Sequence, residues 1–176
     1  MSILFFDLET QNAIDDVGGR GNLRQLKMSV GVTYSTADNA FQRYTEANVQ
    51  DLIAALKSAE RVVGFNLIDF DYEVLRAYTS DDLRAVPTVD LLAHVRRAAG
   101  FRVGLDALAS ATLNVKKSGH GLQAIQWWRA GELEKLFVYC EQDVDVTRRL
   151  YEFGRANKYV QFLDRNYRLK KVWVNW

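Results

Sequence analysis

Four acidic side chains stand in or beside strongly apolar runs, in three separate segments of the chain. They are Asp7 and Glu9 in Phe5-Phe6-Asp7-Leu8-Glu9-Thr10, Asp71 in Phe70-Asp71 shortly after Gly64-Phe65-Asn66, and Asp143 in Tyr139-Cys140-Glu141-Gln142-Asp143. Carboxylates among apolar neighbours are costly unless positive charge joins them. Hard divalent cations prefer oxygen ligands, so four carboxylates suit a pair of such ions. The chemistry a metal pair serves is phosphodiester cleavage, in which one ion lowers the pKa of the attacking water and the other takes up charge on the leaving oxygen.

The local pattern supports each acid to a different degree. Asp7 and Glu9 are two residues apart, so a strand through them presents both carboxylates on one face. The same pair also reads as a solvated strand end. Asp71 falls in the first turn of an expected helix, where the helix dipole alone favours an acid, so taken alone this segment is better read as capping by Asp69 and Asp71. Tyr139 and Asp143 are four apart on an expected helix and share a face, although a buried tyrosine bonded to some acceptor has the same spacing.

The elements that must position these residues follow from periodicity. Ile3 to Leu8 reads as a buried strand. Lys27 to Thr36 and Ala40 to Glu46 read as two more, joined by a turn at residues 35–39. Asn48 can cap a helix from Val49 to Ala59, and Arg61 to Phe65 is a short valine-rich strand. Asp69 is expected to cap a helix running to about Tyr78. Helices are expected over Leu105–Leu113, Leu122–Ala130 and Glu132–Ala156, and a hairpin over Tyr159–Leu163 and Arg168–Trp176. Gly18, Gly19 and Gly21 mark residues 11–24 as a loop. The order predicts an α/β fold with a mixed sheet. The expected division is a domain over 1–156 with a C-terminal β extension, 157–176, packed on it.

Composition sets outer bounds. The chain has 176 residues, 48% of them hydrophobic, enough for one domain with a real core. A single cysteine, Cys140, precludes an intramolecular disulfide and suits a reducing compartment. The apolar start is too short for a signal peptide, and no stretch approaches membrane-spanning length, so a cytoplasmic location is expected. The formal charge is +1, from 23 basic and 22 acidic residues. With four acids neutralised by metal the remaining surface is mildly basic, which is compatible with a phosphate-bearing partner.

The three acidic segments together resemble the DEDD exonuclease superfamily, which includes RNase D and the proofreading domains of DNA polymerases. Phe6-Asp7-Leu8-Glu9-Thr10 matches its first motif, Asn66 with Phe70-Asp71 its second, and Tyr139-x-x-x-Asp143 its third. Tyr139 marks the tyrosine (DEDDy) branch; the position five before Asp143, where the other branch carries histidine, is Val138. Val89-Asp90-Leu91-Leu92 and Gly104-Leu105-Asp106-Ala107-Leu108-Ala109 are similar to RNase D-like chains. Lys117-Ser118-Gly119-His120-Gly121 with Trp128-Arg129 is closer to bacterial exonuclease domains of the YprB type. The likeness covers about residues 2–155.

This resemblance implies an RNase-H-like mixed five-stranded sheet flanked by helices, and a 3′–5′ exonuclease using two Mg²⁺ or Mn²⁺ ions on single-stranded nucleic acid or a 3′ end. Asp7 would bridge both ions, Glu9 and Asp143 would hold the water-activating ion, and Asp71 would serve the leaving-group ion. Tyr139 would orient the attacking water. Thr10, Asn66, Phe70, Lys117 and His120 are the expected substrate contacts. Two other readings use the same fold: a catalytically inactive nucleic-acid-binding module, and a nuclease subunit of a larger helicase or polymerase assembly. Cys140 is expected to be a small core residue. Of Trp127 and Trp128, adjacent on a helix, one is expected in the core and the other on the surface. The residues fix neither oligomeric state nor the choice of DNA or RNA.

Overall fold

The computed structural model describes residues 2–115 and 121–176. Its centre is β1 (Leu4–Thr10), whose alternating side chains feed two separate cores. Phe6 and Leu8 point to one side, and Phe5 points to the other. By the same alternation Asp7 and Glu9 share the face of Phe5. β2 (Met28–Ser35) and β3 (Ala40–Thr45) follow in antiparallel meander order, with Asp7 opposite Val32 and Glu9 opposite Val30. After α1 (Val49–Ser58), β4 (Val62–Gly64) pairs parallel with β1, but only at Leu4 and Phe5. A π-helical turn over Leu67–Asp71 and the short α2 (Tyr72–Leu75) lead to β5 (Thr88–Asp90), parallel to β4. The sheet order is β3-β2-β1-β4-β5, mixed and five-stranded as the sequence resemblance implies.

Helices α3 (Leu91–Ala99), α4 (Leu105–Leu113), α5 (Gly121–Arg129) and α6 (Leu133–Asn157) complete the main body. α1 and α2 cover the Phe6 side, where Leu52, Leu56, Tyr72 and Leu75 are buried. α6 crosses the Phe5 side and buries Leu136, Tyr139, Cys140, Asp143, Val144, Thr147, Leu150 and Tyr151 as one stripe. Its outer flank is tied to the sheet by Arg43 of β3, whose guanidinium meets Glu141 at 2.7 Å and Glu134 at 2.8 Å and lies over the Phe137 ring. A hairpin of β6 (Tyr159–Leu163) and β7 (Leu169–Trp173) ends the chain. It docks on α4 through Thr112, whose hydroxyl accepts from Gln161 N at 2.8 Å and donates to Gln161 O at 3.1 Å. The main body and the hairpin are thus joined by a side-chain-to-backbone contact.

Several elements depart from the sequence expectation. Asp69 does not cap a helix. The chain enters a π turn at Leu67, and Asp69 stays exposed, paired with Arg96 at 3.4 Å. β5 is not visible as a periodic segment, because a three-residue strand is too short to show alternation, and α3, though amphipathic with Leu91, Leu92 and Val95 buried, is not among the expected helices. Residues 11–24 are not an open loop: 3-10 turns run over Asp15–Val17 and Arg20–Leu26, pinned by buried Leu23 and Leu26. Trp127 and Trp128 are both partly buried against the core, so neither is a free surface ring.

The C-terminal Trp176 donates its indole N–H to the Tyr151 carbonyl at 3.0 Å and packs edge-on to His94. It packs against Gly154, where an added Cβ would overlap the ring. Gly154→Ala is therefore expected to destabilise the chain by about 1–3 kcal/mol, the usual cost of overpacking. In a Trp176→Ala background the same substitution should cost almost nothing; urea unfolding of the four proteins in the cycle measures this coupling.

Candidate metal centre and cleft

The site is built where β1 outruns β4. Pairing with β4 stops at Phe5, so the β4-side edge of β1 is unpaired beyond it. The Asp71 carboxylate fills this gap, its Oδ1 accepting the Leu8 backbone N–H at 3.2 Å. Asp71 comes from the end of the π turn and is 2% exposed. The turn itself is held by Asp90 at the end of β5. Asp90 Oδ1 accepts from Asn66 N at 2.9 Å and Oδ2 from Ile68 N at 3.1 Å, while Oδ1 also caps α3 through Leu92 N and Ala93 N. These bonds hold Asn66 in the left-handed region, at φ 71°, and so aim the segment that delivers Asp71.

On the other side, α6 delivers Asp143 and Tyr139 over the same strand. Carboxylate oxygens of Asp7, Glu9 and Asp143 lie within 4.8 Å of one another. Two oxygens on opposite sides of one Mg²⁺ stand about 4.2 Å apart, twice the ~2.1 Å bond length, so this spacing is close to what a shared ion imposes. Asp71 stands behind Asp7. Burial first, and then the Asp7 charge, push its carboxyl well above the usual range. A set of hard oxygens that repel one another, partly out of water, fits divalent cations. Asp7, Glu9 and Asp143 would hold one ion directly, with Asp71 on the far side of Asp7.

Cys140 lies directly beneath. Its Sγ is 3.4 Å from the Asp7 carbonyl and 3.6 Å from Asp7 Oδ2. Burial and the surrounding acids hold the thiol far above its usual pKa, so it remains a neutral core residue, as expected. Trp127 of α5 braces the Tyr139 ring edge-on, with centroids 5.8 Å apart.

These groups open into a cleft of about 780 Å³ lined by Asp7, Glu9, Asp71, Tyr139 and Asp143. Thr10, Asn66 and Phe70 also line it. The Thr10 hydroxyl donates to the Asn12 carbonyl at 2.9 Å, and Asn66 Oδ1 accepts from Arg102 at 3.4 Å. Lys117 and His120 lie outside the described residues. Three contributors escape sequence reasoning. Arg20 and Arg102 sit in the cleft wall with no motif to mark them. Asp90 organises the π turn; the sequence marks it only as a cap-type residue within the Val89-Asp90-Leu91-Leu92 likeness, with nothing to tie it to Asn66 and Ile68.

The RNase_H superfamily model matches residues 4–153. The chain belongs to the RNase H superfamily. Solved structures with the same fold include the family B DNA polymerase of the hyperthermophilic archaeon Pyrobaculum calidifontis, at TM-score 0.66 and 19% identity. That match covers 88% of this chain and 24% of the polymerase. E. coli Exonuclease I, solved with a 5cy-dT13 oligonucleotide, matches at TM-score 0.55 and 12% identity over 89% of this chain and 40% of the exonuclease. The chain thus spans less than half of either structure, and at these identities the likeness is one of fold. No curated protein matches the chain. Among the described residues of this RNase H superfamily member, no helix is long and apolar enough to cross a membrane.

The raised Asp71 carboxyl sets a pH dependence for the metal-free chain. An acid whose folded pKa exceeds its unfolded value of about 3.9 favours folding while protonated, and that contribution is lost as pH rises through the folded value. Asp71→Asn keeps an acceptor for Leu8 N–H and removes the charge. In EDTA it should raise the melting temperature at pH 8, with the gain shrinking toward pH 4. A variant no more stable than wild type at pH 8 would show that the charge at Asp71 carries no cost.

Proposed function

We propose that the chain is a metal-dependent 3′–5′ exonuclease of the DEDDy type, cleaving phosphodiester bonds of DNA or RNA. The observation that carries this reading is the meeting of Asp7, Glu9 and Asp143 oxygens within 4.8 Å, beside buried Asp71 and Tyr139, in an open cleft. Two bound Mg²⁺ or Mn²⁺ ions would supply an activated water and charge stabilisation at the leaving oxygen.

The chain's own residues do the rest. Asp7, Glu9 and Asp143 bring the acids to one point from two rigid elements, so little reorganisation is needed at reaction. Asp71 fixes the end of β1 and adds the fourth carboxylate. The Tyr139 hydroxyl, braced by Trp127, orients the attacking water. Phe65 and Phe70 line the cleft as apolar surfaces for the terminal nucleoside. Asn66 and Thr10 present polar atoms toward the backbone of the strand. In this reading residues 1–156 form the nuclease domain and 157–176 its β extension.

A non-catalytic binding module is the competing account. It leaves the clustered like charges without a purpose, since each acid costs stability in the absence of cations.

Incubation of 5′-labelled single-stranded DNA and RNA with Mn²⁺ tests the proposal. Wild type should give a ladder shortening from the 3′ end, and Asp7→Ala or Asp143→Ala should give none while unfolding cooperatively. Equal activity in wild type and Asp7→Ala would sink it. Tyr139→Phe should lower kcat on the order of 10²-fold, the low end for a positioned proton-handling group, with Mn²⁺ affinity by calorimetry unchanged.

A further inference from the structure

The cleft does not stop at the carboxylates. Arg20 lines it and also lines a second groove of about 570 Å³, together with Arg24, Arg76 and Arg84. These arginines come from three places: the Arg20–Leu26 turns, the end of α2, and the turn over Leu83–Ala85. Only Asp69 and Glu73 oppose them in the groove wall. Glu73 holds Arg76 at 3.0 Å and Arg84 at 2.8 Å, while Asp69 is turned to Arg96. Among the described residues Arg20 and Arg24 have no carboxylate partner. On the cleft side Arg102 adds a further guanidinium, whose pKa is depressed by burial and then by the charges of Arg20 and Arg96.

Like charges gathered from separate elements repel unless an anion joins them. A guanidinium offers five donors in a flat fork that matches phosphate oxygens, and a carboxylate that occupies one edge of it leaves the other free while fixing its direction. Glu73 therefore acts as an orienting post for Arg76 and Arg84 and does not cancel them. The groove walls are polar, and its continuity with the cleft through Arg20 places a row of cations beyond the scissile position.

We propose that this arginine groove carries the phosphates of the single strand upstream of the bond being cut, so that the substrate is a polynucleotide chain and not merely a nucleotide end. The inference deepens the nuclease reading and rests on it for the direction of the strand.

The test separates the two. Binding of a 5′-fluorescein thymidylate dodecanucleotide is followed by anisotropy in EDTA, across a salt series, with wild type, Arg24→Ala/Arg84→Ala and Arg24→Lys/Arg84→Lys. Both positions are exposed, and the lysine pair retains charge as a folding control. Each phosphate contact on single strands contributes about 0.7 to the slope of log K against log salt. The alanine pair should thus flatten the slope by about 1.4 and weaken binding roughly tenfold at moderate salt, with the lysine pair restoring most of both. Cleavage of the p-nitrophenyl ester of thymidine 5′-monophosphate with Mn²⁺ reads the carboxylate centre without the groove, and its kcat/KM should be equal in wild type and the alanine pair. An unchanged slope and affinity in the alanine pair overturns the groove. Polyglutamate binding as tightly as the oligonucleotide through the same arginines also overturns it, in favour of an acidic protein partner. Absence of any cleavage by wild type, with the binding loss intact, removes the nuclease reading and leaves the groove standing.

Discussion

The backbone N–H of Leu8, left without a ladder partner where β4 ends, is the point on which the site turns. A buried donor without an acceptor costs more than an average hydrogen bond contributes. Here the acceptor is the carboxylate of Asp71, so one bond both completes the edge of β1 and fixes an acid beside Asp7. Had β4 continued past Gly64, the ladder would have filled that edge with backbone carbonyls and left Asp71 no place. The early end of β4 and the π turn that follows are thus two sides of one arrangement, and Asp90 stabilises both by accepting from Asn66 and Ile68.

The second constraint is charge. Asp7 and Glu9 share a strand face by pleat geometry, and α6 adds Asp143 from above. Bringing three carboxylates together beneath a helix, with a fourth buried behind them, leaves the centre poorer in stability without cations. The rest of the fold offsets this. Two apolar layers, one under α1 and α2 and one under α6, clamp β1 from both sides. Arg43 ties the flank of α6 to β3, although that pair is partly exposed and contributes modestly. Cys140 shows the same logic on a small scale: a neutral thiol fits under Asp7 where another charge would not.

Much of this was legible beforehand because the strongest signals are local. The apolar run around Asp7 and Glu9, the stripe of α6 and the terminal alternation each depend on a few neighbouring residues, and each lies where periodicity put it. The acid motifs were informative because spacing of two on a strand and four on a helix determines a shared face whatever surrounds them. Short or irregular elements were not legible. β5 is too brief for alternation, α3 follows it directly with Asp90 ending the strand and capping the helix, and the π turn has no sequence period of its own. Asp69 looked like a helix cap because its residue type is right, but the true anchor of that segment lies about twenty residues downstream in Asp90, brought close only by the pairing of β5 with β4.

The sequence by itself determined which residues carry charge, which face of each long element is apolar, and that Asp7 shares a face with Glu9 and Tyr139 with Asp143, since all of these follow from backbone periodicity. Only the tertiary structure decided that three carboxylates from two elements meet within 4.8 Å, that Asp71 bonds to β1, and that Arg20 joins the cleft to an arginine-lined groove. Convergence of that kind depends on where strands stop and on which elements pair, and those are set by packing and hydrogen-bond satisfaction over the whole chain.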